Sequence, residues 1–124
     1  MFLSGDNKIQ ARGRLTRKPV VNISNSGNVV TTITLAVKTP FKENGKNVVV
    51  FIDYVAISNT KDKIGDRLAE YTAKGSLVTL EGYIDCYKKE KPNGSYEYVQ
   101  VNRITAFRCE ESKERTLQRQ AEQE

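Results

Sequence analysis

An all-β Greek-key barrel of five short strands, with one short helix between the third and fourth, is predicted by three observations. Five apolar stretches alternate with period two, a single run changes to helical period, and Gly- and Asn-rich turns separate the pieces. The most telling stretch is Lys74-Gly75-Ser76-Leu77-Val78-Thr79-Leu80-Glu81-Gly82-Tyr83-Ile84, which follows the helical run. There Val78, Leu80 and Ile84 share one parity and are expected to face the core. Leu77, Thr79 and Tyr83 occupy the other, and Gly82 marks a bend or a close backbone approach.

Taken in order, Lys8 to Leu15 sets Ile9, Ala11, Gly13 and Leu15 against a basic row of Lys8, Arg12 and Arg14, as a half-buried strand does. Pro19 interrupts it, Val20 to Ile23 is a short second piece, and Ser24-Asn25-Ser26-Gly27-Asn28 forms a turn. In the next strand Val29, Thr31, Ile33, Leu35 and Val37 point inward, and Pro40 is expected to end it. Glu43-Asn44-Gly45-Lys46-Asn47 has the composition of a hairpin tip. Val48 to Ser58 is apolar on both parities, so core, ligand or another subunit should cover each face.

From Lys61 to Ala73, Ile64, Leu68 and Tyr71 recur at helical spacing, and Lys74-Gly75 stops the helix. After the Gly75 to Cys86 strand, Asn93-Gly94 closes a hairpin, and Ser95 to about Phe107 is the last strand. This order is that of the OB barrel. A split β-α-β sheet would want two comparable helices, and one is written before the last strand.

The 124 residues suffice for one domain, assigned to 1–109. Residues 110–124 carry five acids against three bases and only Leu117 and Ala121 as apolar groups, which reads as a mobile polar tail, with a frayed helix as the alternative. Of the net charge of +5, the tail accounts for −2, leaving +7 on the body and a mild preference for an acidic partner. No leader and no apolar run long enough for a membrane span is present, so the chain is expected to be cytoplasmic. Cys86 and Cys109 with no histidine cannot build a zinc site, and are expected as reduced structural thiols. The missing histidine and the absence of nucleophile, phosphate-loop or paired-carboxylate motifs argue against an enzyme. No catalytic residue, metal or cofactor is assigned.

Aromatic rings interleaved with cations suit single-stranded nucleic acid, because every base offers a π-face and every nucleotide a phosphate. Phe41 stands beside Pro40 in a basic loop, between Lys38 and Lys42, where burial is unfavourable. Tyr83 and Tyr87 share a parity near Lys88, Lys89 and Lys91, while Tyr96 and Tyr98 lie across the hairpin. Phe51 in a central strand is ordinarily core, and Tyr54 and Tyr71 read as structural. The hairpin lysines, like Arg12 and Arg14, either touch phosphate or simply keep an exposed ribbon soluble.

An ordered set of motifs resembles the bacterial and phage single-stranded DNA-binding protein (SSB) family. It comprises Gly13, Leu15-Thr16-Arg17 and Pro19, then Thr34-Leu35-Ala36-Val37 running to Pro40-Phe41, Phe51-Ile52, Leu68-Ala69-Glu70-Tyr71, and Lys74-Gly75-Ser76-Leu77-Val78 with Leu80-Glu81-Gly82. The resemblance implies an OB fold that coats single-stranded DNA without reading sequence, in replication, recombination and repair. It gives stacking roles to Phe41 and Phe51, leaves Ile57 and Lys89 where aromatics are expected, and lets Tyr87 substitute, with Tyr83 and Tyr98 as further stacking candidates. Arg12, Arg14, Lys38, Lys42, Lys88, Lys89 and Lys91 are the corresponding phosphate candidates. It also implies a homo-oligomer, tetramer or dimer, although Gln10, Arg12 and Arg14 replace the family's aliphatic assembly row. The family's acidic, Ile-Pro-Phe-ended tail tip for replication and recombination proteins is missing, which fits a phage or mobile-element version. The alternative function is a primosome-type module in which the same aromatics dock a protein.

Overall fold

The computed structural model describes residues 6–24, 27–59 and 61–123. The turn expected over Ser24 to Asn28 falls partly outside them, at Asn25 and Ser26; its flanks close through Ser24 N–H to Asn28 C=O at 2.8 Å and Gly27 N–H to Ser24 C=O at 2.9 Å. Six strands and two helices follow in the order β1 (Ile9–Leu15), β2 (Val20–Ile23), β3 (Val29–Glu43), β4 (Lys46–Ser58), α1 (Ile64–Tyr71), β5 (Leu77–Glu90), β6 (Tyr96–Cys109) and α2 (Lys113–Glu122). Pairing runs β1–β5–β6–β4–β3, and β3 returns to β1 through Arg14 opposite Ala36 and Leu15 opposite Leu35. Five strands thus close a barrel, and the short β2 lies along β3 as an edge strand, with the helix between the third and fourth barrel strands as the sequence predicts. No helix of the described residues is long and apolar enough to cross a membrane.

The inward row of β3, Thr31, Ile33 and Leu35, is fully buried and meets Leu15, Tyr54, Ala56, Val78, Leu80 and Ile104. Alternation alone puts them there, since successive strand side chains point to opposite faces. Helix α1 covers the barrel with Ile64 and Leu68. Its N-cap residue Lys63 makes no side-chain cap bond; Asp62 Oδ1 accepts from Ile64 N–H at 3.0 Å, and Ser58 Oγ of β4 accepts from the N–H groups of Gly65 at 2.8 Å and Asp66 at 3.2 Å. Gly65 is needed for that approach, because a Cβ there would come within 3.0 Å of both Ser58 Oγ and Thr31 Oγ1.

Several boundaries differ from the sequence expectation. Pro40 does not end β3, which continues to Glu43; the missing N–H produces an irregular register between Lys38 and Lys42 instead. Thr39 bridges the gap, its Oγ1 donating to Val48 C=O at 2.9 Å while its own C=O accepts from Asn47 Nδ2 at 2.9 Å. The tip is a two-residue turn, Asn44-Gly45, with both φ values positive (52° and 79°).

β5 likewise runs on to Glu90, so β5 and β6 project as a ribbon closed at Lys91–Ser95. Ile84, expected in the core, is 39% exposed. β6 carries Thr105 as an extra residue between the partners of Glu81 and Gly82, and beyond that bulge the ribbon leaves the barrel. Tyr71, read as structural, is also partly exposed, and Cys86 stands in solvent on the ribbon while Cys109 packs against the core.

Within 110–124, expected as a mobile tail, Lys113–Glu122 instead form helix α2. Ser112 caps α2 by accepting from Arg115 N–H at 3.1 Å. Its polar side chains dock on backbone rather than on apolar surface. Gln120 Nε2 donates to Glu70 C=O at 2.9 Å, and Gln123 both donates to Lys74 C=O at 2.9 Å and accepts from its N–H at 3.2 Å.

Candidate nucleic-acid interface

On the outer face of the barrel, Arg14, Ala36 and Phe51 form one cross-strand row, and Lys38 opposite Val49 forms the next. Directly opposed residues share a face, so a cation, a small floor residue and a ring line up across three strands. Phe51 is 70% exposed, which settles its side: it is surface, while Tyr54 on the other parity is core. A groove of about 480 Å³ runs here, lined by Arg12, Gly13, Arg14, Ala36, Lys38, Val49 and Leu77. Gly13 lets β3 close against β1, since a Cβ there would lie 2.3 Å from Ala36 C=O.

Phe41 stands further out on the same hairpin and is 78% exposed, with Lys42 beside it opposite Asn47. Tyr83 and Tyr87 project from one face of the β5–β6 ribbon, Tyr83 with the Arg103 guanidinium 5.9 Å from its ring centre. Tyr98 and Lys88 do not join them. Lys88 is opposite Tyr98, on the other face. Ile57 lies half-buried opposite Val30, and Lys89 stands opposite Glu97.

The ribbon is less basic than its lysines imply. Arg103 pairs with Asp85 at 3.1 Å and Lys91 with Glu97 at 3.9 Å. On the barrel, Arg14 Nη1 donates to Gly75 C=O at 3.0 Å and lies 3.7 Å from Glu111, so part of its charge is spent within the chain. Glu110 sits by Thr79 and Arg108, both hydrogen-bonded to it at 2.8 Å; these bonds, with the charges of Arg108 and Arg12, outweigh its burial and hold its carboxyl below the ordinary value. Nothing in the sequence signalled this compensation, because Glu110 and Glu111 reach β1 only through the end of β6. Ala36, which shapes the groove, was legible only as the parity opposite Ile33 and Leu35, and Val49 only as part of a run apolar on both faces.

Glu111 links α2 to the barrel. Burial raises its carboxyl, but the Arg119 hydrogen bond at 3.1 Å, the Leu77 N–H at 3.1 Å and the charges of Arg119 and Arg14 more than offset that, leaving it below the usual range. A depressed carboxyl contributes stability above its unfolded value of about 4.3, and that contribution disappears as pH falls through the lower folded value. Amide exchange should therefore show α2 losing protection below about pH 4, before the barrel does. Glu111→Gln should remove the pH dependence and weaken α2 docking at neutral pH.

The model of the single-strand binding protein family matches residues 6–109. The "Single-stranded DNA-binding protein" of Lactiplantibacillus plantarum is 34% identical over 110 residues, 88% of this chain and 53% of that protein. "Single-stranded DNA-binding protein 2" of Streptococcus agalactiae is 32% identical over 115 residues, 92% of this chain and 84% of its own. "Single-stranded DNA-binding protein B" of Bacillus subtilis is 33% identical over 93 residues, 75% of this chain and 80% of its own. The match covers about half of the L. plantarum protein and 62% of a Clostridium tetani relative.

Proposed function

Because the chain belongs to the single-strand binding protein family, we propose that it coats single-stranded DNA without reading its sequence, in replication, recombination and repair. The observation that carries this is the row Arg14–Ala36–Phe51, an open ring and a cation on one face of a closed barrel. Bases would stack on Phe51, Phe41 and Tyr87, with Tyr83 supporting. Phosphates would follow Arg12, Arg14, Lys38 and Lys42, then Lys89 and Lys91 of the ribbon. Stacking tolerates every base, and the cations add affinity that depends on salt. No catalytic step and no cofactor belong to this reading.

The same reading includes a homo-oligomer, tetramer or dimer, acting in the cytoplasm, with replication or recombination proteins as partners and a phage or mobile element as a fitting source. Gel shift of poly-dT with duplex and RNA competitors tests the central claim. Poly-dT should bind without any partner protein, resist duplex competitor and weaken with salt. Failure to bind poly-dT at low salt would sink the proposal and favour a primosome-type protein-docking module on the same aromatics.

A further inference from the structure

The β5–β6 ribbon carries two opposed aromatic faces. Its register runs unbroken from Gly82 opposite Ile104 to Glu90 opposite Tyr96, which fixes the sides. Tyr83, Tyr87 and Lys89 continue the outer row of β5, whereas Lys88, Tyr96 and Tyr98 continue the inner row of Val78 and Leu80 beyond the bulge. The second face is the more open, with Tyr98 75% and Tyr96 56% exposed. Lys88 Nζ sits 4.2 Å from the centre of the Tyr96 ring, a cation held on a π-face.

Between Asp85 and Val101 the two strands pair only with each other among the described residues. The ribbon is therefore two strands wide, about 5 Å between backbones, and a flexible chain can pass its edge. We propose that a single strand stacked on Tyr87 turns around the ribbon and stacks again on Tyr98, so that it winds the arm instead of touching one side. The proposal rests on the single-strand reading above. Continuity with the Tyr87 face favours nucleic acid as occupant over a protein. Lys88 and Glu90 share the second face with opposite charges, so binding there is driven by stacking and adds little salt dependence.

The test is a length series of oligo-dT from about 6 to about 40 nucleotides, bracketing the ~4–16 that one barrel covers. Tyr87→Ala should weaken every length. The double variant Tyr96→Ala/Tyr98→Ala should leave the shortest oligomers unchanged and weaken the longest about tenfold, with the same salt slope as wild type. Unchanged affinity for long oligomers would overturn the proposal and leave this face to a protein partner. Equal weakening at all lengths would also overturn it, by placing Tyr98 in the Tyr87 site. Absence of any dT binding by the wild type would instead remove the single-strand reading itself, and the winding with it.

Discussion

Gly82→Ala should destabilise the fold by about 3 kcal/mol or more, or prevent folding. A Cβ at Gly82 would stand 1.8 Å from the carbonyl oxygen of Arg103 and 2.8 Å from its carbon. Backbone, not a flexible side-chain end, is what it meets, so relief requires β5 and β6 to separate where Thr105 bulges. Separation there also disturbs the Val55 to Arg103 bridge that closes β6 onto β4. Gly94→Ala is the control: nothing lies within 4 Å, and only its positive φ of 85° is strained, at a cost of about 1 kcal/mol. Urea unfolding midpoints compare the two, and a Gly82→Ala protein within about 1 kcal/mol of wild type would refute the close-approach account.

Phe51→Ala and Phe41→Ala should each reduce poly-dT affinity by about 1–3 kcal/mol, roughly 5- to 150-fold, through lost base stacking. Both rings are open to solvent, so stability should change by less than about 0.5 kcal/mol. The salt slope should stay put, because no cation is removed. Lys38→Ala should do the reverse, lowering the slope of log K against log salt by about 0.7 while costing little in high salt. Filter binding across a salt series, with thermal melts of each variant, separates these outcomes. Wild-type affinity in both phenylalanine variants would eliminate the stacking platform.

Phe51 and Ile84 show where sequence patterning works and where it stops. Phe51 is ordinary core by residue type, yet its parity opposite Tyr54 already placed the two rings on different faces. Ile84 shares parity with Val78 and Leu80, yet it lies past the bulge, on a part of β5 that has left the barrel. A period-two pattern tells which residues share a side; it does not tell how far along the strand that side remains covered. The same limit hid the split between Tyr87 and Tyr98, which depends on which residues oppose across the hairpin. It also hid the charge compensation of Arg14 by Glu111, 97 positions apart in sequence.

What the residues determined by themselves is local: the strand alternation that buries Ile33 and Leu35, the helix from Ile64, and the Asn44-Gly45 turn. Each follows from side-chain period or backbone sterics within a few residues. Tertiary structure alone decided that β3 continues through Pro40, that the ribbon has two aromatic faces, and that a polar segment becomes α2. Those outcomes depend on pairing across a hairpin, as with Thr39 on Val48 and Tyr98 opposite Lys88, or on a partner far along the chain, as with Gln120 on Glu70. The energy that fixes them exists only once strands have paired and the helix has docked, which no single stretch of sequence supplies.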